Sequence, residues 1–367
     1  AALIDVARMQ RNIARMQERM DALGVRFRPH VKTGKCVDVA RAQLAAGARG
    51  ITVSTLKEAE QFFAAGIPDI LYAVGMVAPK LPQALALRRK GCALKLIADS
   101  VQGASAIASY GNENGERFEI WIEIDTDGHR SGIPPEGDAL IEVGQAIHQA
   151  GMVLGGVMTH AGSSYELDTP EALQSLAEQE RAGCVRAARR LREAGLPCLV
   201  VSVGSTPTAL SAAHLEGVTE VRAGVYVFFD LVMANIGVCA REDVALSVLT
   251  TVIGHQPDKG WAIVDAGWMA MSRDRGTQNQ RHDYGYGQVC TLEGELLEGY
   301  VLTGANQEHG ILARAGTPDA QIDQRFPVGT QLRILPNHAC ATGAQFPEYH
   351  AVGADGSLQT WPRFYGW

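Results

Sequence analysis

The sequence predicts a (β/α)8 barrel over residues 6–235, followed by a mostly β domain over 236–367 to which residues 1–5 add a strand. Three observations predict it. Short apolar or β-branched runs alternate with longer Ala-, Leu-, Glu- and Arg-rich stretches of helical period between residues 26 and 230. Two of those runs, the first and the fifth, place polar and apolar side chains on opposite faces. Beyond residue 235 the helical period fades, and strand-like runs are separated by Gly, Asp and Pro. A chain of 367 residues also exceeds the length that one hydrophobic core usually serves, which agrees with two domains.

The strand-like runs are 26–32, 50–54, 69–74, 93–99, 118–125, 154–161, 198–204 and 220–228, with helices expected at 37–46, 56–65, 79–90, 138–150 and 170–194. Eight strand–helix units in about 200 residues match a barrel in count and length. Parity separates it from an open doubly wound sheet. In the first run Arg26, Arg28, His30 and Lys32 oppose Phe27, Pro29 and Val31; in the fifth, Glu119, Trp121, Glu123 and Asp125 oppose Phe118, Ile120, Ile122 and Ile124. Strands covered by helices on both faces tend to be apolar throughout, whereas a barrel mouth accepts inward polar side chains. In the second domain strands are expected at 245–254, 261–266, 297–303, 331–336 and 349–352, and the polar stretch 272–286 reads as a mobile loop.

Composition excludes several function classes. Apolar residues at 46% and charged residues at 20% are ordinary globular values, which argue against a disordered or fibrous chain. A net charge of −7 supplies no basic field for nucleic acid or an anionic membrane. The chain has no apolar run long enough to span a bilayer, and its first residues lack a basic then apolar leader pattern, so a cytoplasmic protein is expected. Seven scattered cysteines without a Cys-x-x-Cys pair argue against a disulfide framework.

Arg28-Pro29-His30-Val31-Lys32-Thr33 puts an amine at the C-terminal edge of the first strand, where such barrels do their chemistry. A partly desolvated, cation-rich pocket would favour the neutral amine that forms an imine. Lys32-Thr33-Gly34-Lys35 resembles half of a phosphate-binding P-loop but lacks its first glycine and spacing. Phosphate handling fits two later pieces, Val203-Gly204-Ser205-Thr206-Pro207-Thr208 and Arg222-Ala223-Gly224-Val225-Tyr226, because loops after strands seven and eight are the usual phosphate site of this barrel. His160 ends strand six and Arg130 follows strand five at the same edge.

These pieces, in this order and spacing, resemble the alanine-racemase-like (fold type III) pyridoxal-phosphate (PLP) enzymes across nearly the whole chain. The nearest subgroup is that of the D-serine dehydratases and D-threonine aldolases. The resemblance implies Lys32 as the Schiff-base lysine, with Gly204, Ser205, Thr206, Gly224 and Val225 on the cofactor phosphate. It also implies His160 against the pyridine ring, Arg130 near the 3-oxygen and Tyr165 facing the pyridine nitrogen. Within this family His338-Ala339-Cys340 is the expected metal pair. In an extended segment both side chains would point the same way, leaving open positions for water and substrate on one Zn, Mn or Mg ion. Dehydration of a D-3-hydroxyamino acid is expected, D-threo-3-hydroxyaspartate to oxaloacetate and ammonia first and D-serine second. An inward cation, Arg26, Arg28 or Arg222, would receive the second carboxylate. The alternative is retro-aldol cleavage to glycine and an aldehyde. Aldolases resembling this chain carry His-x-Asp where His338-x-Cys340 stands, which favours dehydration. A racemase would need a tyrosine motif that is not found here. A non-catalytic PLP-binding protein of the family would lack the β domain. The resemblance further implies a head-to-tail homodimer with its active site at the interface.

Overall fold

The computed structural model describes residues 1–366 and falls into two compact units, Ala14–Gly224, and Ala1–Ile13 with Val225–Tyr365. The chain opens on β1 (Ala2–Asp5), a strand of the second unit, and continues into α1 (Val6–Ala22). Met9, Ile13, Met16 and Met20 recur at helical spacing along α1 and are all buried.

The eight parallel strands of the barrel unit are β2 (Arg26–Phe27), β3 (Ile51–Val53), β4 (Asp69–Tyr72), β5 (Ala93–Ala98), β6 (Glu119–Ile124), β7 (Val153–Thr159), β8 (Val200–Val203) and β9 (Glu220–Val221). They run in the order β2-β9-β8-β7-β6-β5-β4-β3. Between them lie α2 (Val37–Ala45), α3 (Leu56–Ala64), α4 (Leu81–Arg89), α5 (Val101–Asn114), α6 (Ala139–Gln149), α7 (Pro170–Glu193) and α8 (Thr206–Ser211). Every predicted run contains a strand, but β2 keeps only the first two residues of 26–32, and β9 only the first two of 220–228, where Val225–Val227 turn into a short 3-10 helix. Helix α5 was not expected, because its Gly, Ser and Asn content hides the period; it is capped by Ser100, which accepts from Gly103 N–H, and ended by Gly115 at φ 66°. The ring closes between the first two strands through the His30–Thr52 bridge, with Val31 N–H to Thr52 O at 2.9 Å and Thr52 N–H to Pro29 O at 2.8 Å.

Inside this barrel runs a ladder of paired charges. Lys95 Nζ lies 2.5 Å from Asp69, Asp69 meets Arg28 at 2.9 Å, and Arg28 meets Glu220 at 2.9 Å. Ser202 Oγ–H donates to Glu220 at 2.9 Å and accepts from Arg222 Nη1 at 2.6 Å. Arg28 and Glu220 are 4% and 1% exposed, so neither ion has water to solvate it and each depends on the other.

The second unit contains β1 and β10 (Leu246–Gln256), β11 (Trp261–Val264), β12 (Gln288–Cys290), β13 (Leu296–Ala305), β14 (Gly310–Arg314), β15 (Gln331–Leu335), β16 (Glu348–Val352) and β17 (Leu358–Pro362). Strands β10, β11, β14, β13, β12 and β15 pair antiparallel into a closed ring around Val248, Val264, Val289, Leu302, Leu312 and Ile334. Strand β1 lies antiparallel to β10 and parallel to β16. The five predicted strands are present; β12, β14 and β17 are short or exposed and carried no alternation. Short helices α9 (Leu231–Ile236), α10 (Trp268–Met271), α11 (Ile322–Arg325) and α12 (Ala339–Gly343) complete the unit. Among the described residues, no helix is long and apolar enough to cross a membrane.

Replacing Glu220 by Ala leaves Arg28 buried beside a single half-exposed carboxylate. Chemical denaturation of Glu220→Ala should show a loss of about 3–5 kcal/mol.

Candidate active site

The segment carrying Lys32 is not the strand expected over 26–32. Strand β2 stops at Phe27, since Pro29 has no N–H to continue a ladder, and Val31, Lys32, Thr33 and Gly34 form a turn. The turn stays on the barrel edge because His30 N–H donates to Ala223 O at 2.8 Å. Gly224 packs so closely beneath it that a Cβ there would lie 3.0 Å from His30 O and 3.2 Å from Thr33 Oγ1. Lys32 is exposed and Thr33 buried, so the amine stands at the rim on a fixed base.

His160 follows β7 and faces the same rim. Its Nδ1 lies 3.1 Å from Gly204 O; a carbonyl only accepts, so Nδ1 carries the proton and Nε2 is left with its lone pair. Burial and the charges of Lys32, Arg130 and Arg222 depress His160 to about 3, and burial with the same cations and His160 puts His30 well below its ordinary range. Both imidazoles are therefore neutral at physiological pH. The cations that depress them form the positive field that a phosphate and a phenolate require.

The Gly204-Ser205-Thr206 loop is tighter than its composition suggests. Gly204 has φ 126°, and a Cβ there would lie 2.3 Å from Arg222 O. Ser205 and Thr208 form a reciprocal cap at the start of α8: Ser205 N–H donates to Thr208 Oγ1 at 3.0 Å and Thr208 N–H to Ser205 Oγ at 3.2 Å. Ser205 Oγ also pairs with Ser164 Oγ at 2.8 Å. The Gly204 N–H is taken by Glu180 Oε1 at 3.0 Å, the same oxygen that accepts from Ala161 N–H at 2.9 Å. Glu180, on α7 and 2% exposed, thus joins the His160 segment to the phosphate loop. Sequence reasoning missed it, because a glutamate in an amphipathic helix looks solvated.

Arg130 is exposed, its Nη2 3.8 Å from Glu123 Oε1. The Tyr165 ring lies 6.2 Å from that of His160. Val225 is buried and opens the other compact unit. Lysine, cations, small-residue loop and neutral histidine together fit PLP.

In the β unit, His338 and Cys340 are not in an extended segment. Strand β15 ends at Leu335, His338 caps α12, and Cys340 is its second residue. The cause is Asp230, 1% exposed, whose carboxylate accepts from Met233 N–H at 3.0 Å and Ala339 N–H at 2.9 Å and so starts both α9 and α12. The two side chains nonetheless meet in a hydrogen bond. His338 Nδ1–H donates to Asp274 Oδ2 at 2.6 Å, which leaves Nε2 for a metal; carboxylate–histidine–metal is the usual arrangement of such ligands. Burial would lower His338, but Asp274, Cys340 and Asp230 hold it up at about 11, so a cation must displace that proton. Among the described residues no group of three or more His, Cys, Asp or Glu side chains is arranged for a metal. Imidazole plus thiol, with a carboxylate behind, fits an open two-ligand site.

Asp274 comes from the stretch 272–286, expected to be mobile and found tied down. Asn337 Nδ2 donates to Asp274 O at 3.2 Å and Gly285 O at 2.7 Å, and buried Thr277 Oγ1–H donates to Asn337 Oδ1 at 3.0 Å. Polarity suggested solvent; here it serves internal hydrogen bonds.

The barrel with its rim lysine matches the family model for the alanine racemase N-terminal domain over residues 4–232, and the β unit that for a putative serine dehydratase domain over 245–352. The chain belongs to the alanine-racemase-like family and carries its PLP-dependent fold. It is 74% identical over 369 residues to D-threo-3-hydroxyaspartate dehydratase of Delftia sp. (strain HT23), covering 100% of this chain and 97% of that one. The solved structure of that enzyme superposes with a TM-score of 0.99, covering 100% and 97% of the two chains. Solved variants of D-threo-3-hydroxyaspartate dehydratase replace a histidine and, two positions on, a cysteine by alanine, the latter in a metal-free form. D-serine dehydratase of Dictyostelium discoideum is 29% identical, covering 95% and 92%. D-threonine aldolase from Filomicrobium marinum superposes with a TM-score of 0.85 at 25% identity, covering 99% and 94%.

Two outcomes are expected. Asp274→Ala should weaken divalent-metal binding about 10–100-fold in calorimetric titration, because the imidazole loses its orienting acceptor. His160 refuses until about pH 3 a proton that the unfolded chain takes up near 6.5, so its contribution is complete above pH 6.5 and is lost on acidification. Denaturant titrations from pH 7 to 5 should therefore be less steep in His160→Gln, by at most about 1.4 kcal/mol per pH unit.

Proposed function

We propose that the chain is a PLP- and divalent-metal-dependent dehydratase of D-3-hydroxyamino acids, converting D-threo-3-hydroxyaspartate to oxaloacetate and ammonia and accepting D-serine more weakly. The observation that carries this reading is the His338–Cys340 pair with Asp274 behind it, in a chain whose barrel presents Lys32 amid cations. The full-length identity to the Delftia enzyme supports it, as does the matching histidine–cysteine spacing of the solved variants.

Lys32 would hold PLP through its amine, Ser205, Thr206, Gly224 and Val225 its phosphate, Arg130 its 3-oxygen and Tyr165 its pyridine nitrogen. Gly204 would shape the phosphate loop rather than donate, since its N–H is already bound by Glu180. Bound PLP supplies an electron sink for deprotonation at Cα. The proton goes to Lys32 Nζ, freed once substrate takes its place. His160 remains neutral and does not compete as an acid. His338 and Cys340 would hold the metal, which supplies Lewis acidity at the β-hydroxyl and eases loss of hydroxide. The enamine released then hydrolyses to the 2-oxo acid and ammonia. A homodimer is part of the proposal, and so is a cytoplasmic location, which suits seven free cysteines.

Product analysis with D-threo-3-hydroxyaspartate, D-serine and D-threonine, before and after chelation, tests the reading. A 2-oxo acid and ammonia, lost with EDTA and restored by metal, is the expected result. Glycine and an aldehyde would replace dehydratase by aldolase, and full activity after chelation would remove His338 and Cys340 from the chemistry.

A further inference from the structure

A dicarboxylic substrate needs a cation for its second carboxylate, and the three inward arginines considered above do not supply one. Arg28 is consumed by Glu220 and Asp69, and Arg222 is buried against Ser202 and, at 2.5 Å, Thr159 O. Arg26 begins β2, at the strand end opposite the rim.

We propose that Arg273, in the β unit, receives the second carboxylate and sets the preference for hydroxyaspartate over substrates that lack one. The inference rests on the metal-site reading of His338 and Cys340, and its chemistry is simple. In 3-hydroxyaspartate the hydroxyl and the second carboxylate share one carbon, so whatever holds the hydroxyl holds the carboxylate within a few ångströms of it. The reader of that carboxylate must therefore stand beside the metal pair.

Residue 273 is bracketed there by three tethers. On one side Met271 O accepts from Thr342 Oγ1–H of α12 at 2.8 Å. On the other, Asp274 O accepts from Asn337 Nδ2 at 3.2 Å, and the Asp274 carboxylate holds His338 at 2.6 Å. The exposed Arg273 guanidinium lies 4.1 Å over the Trp268 ring and has no carboxylate partner among the described residues. Its neighbour Arg275 is already paired with Asp283 at 2.8 Å. A cation resting on an aromatic face keeps its N–H edge free, and that edge matches a carboxylate in two parallel hydrogen bonds.

Arg273→Met should lower kcat/KM for D-threo-3-hydroxyaspartate about 10- to 100-fold and leave that for D-serine within about twofold, the signature of one lost charge-assisted contact. Arg273→Lys, which keeps the charge without the fork, should fall between. A binding measurement independent of turnover uses malate and 3-hydroxypropanoate, which are hydroxyaspartate and serine without the amino group. In calorimetric titration of the metal-loaded holoenzyme, Arg273→Met should lose malate affinity by the same factor and bind 3-hydroxypropanoate as before. Unchanged malate affinity, or an equal loss for both ligands, overturns the assignment. Should the parent enzyme yield glycine and aldehyde, the dehydratase reading fails while the malate comparison still decides the role of Arg273.

Discussion

A charge enclosed in the barrel must be answered by another charge, and that constraint decides which cations are left for chemistry. The ladder Lys95–Asp69–Arg28–Glu220–Ser202–Arg222 spends its basic groups on the interior. The parity of the first strand placed Arg28 inside, where it is buried, and Arg26 with it, although Arg26 is exposed. Being inside with carboxylates at hydrogen-bond distance is what disqualifies Arg28 from meeting a substrate.

The two units use one device to opposite electrostatic ends. In each, a histidine gives Nδ1–H to a fixed acceptor, Gly204 O for His160 and the Asp274 carboxylate for His338, which fixes the orientation of the ring and of its Nε2. Burial and the surrounding cations drive the first ring far down, against the pull of the Gly204 carbonyl, whereas Asp274, Cys340 and the buried acid Asp230 drive the other up against its burial. The first arrangement keeps an imidazole neutral beside a cationic rim. The second holds a proton that a metal ion would have to displace.

Rigid backbone underlies both. Glu180 binds the N–H groups of Ala161 and Gly204 with one oxygen, so the histidine segment and the phosphate loop cannot drift apart. Asp230 ties α9 to α12 with its two oxygens, Oδ1 accepting from Met233 N–H and Oδ2 from Ala339 N–H. Each is a buried acid accepting two backbone donors, an arrangement that costs desolvation and returns precise placement.

Much was written locally in the chain. Alternating runs, strand parity and the loss of helical period after residue 235 determine a barrel followed by a β domain, because periodicity depends only on which face of each element meets the core. The order of Lys32, Arg130, His160, Gly204-Ser205-Thr206, Gly224 and His338-x-Cys340 determines the chemistry expected. Only the tertiary structure decided that Lys32 stands on a turn, that Cys340 lies in a helix, and that Glu180, Asp230 and Asp274 orient the histidines and loops. These assignments depend on hydrogen bonds between residues tens of positions apart, such as Asp274 with His338. No period or motif encodes such a pairing, since the polar side chain that makes it has the same local pattern as one that faces water.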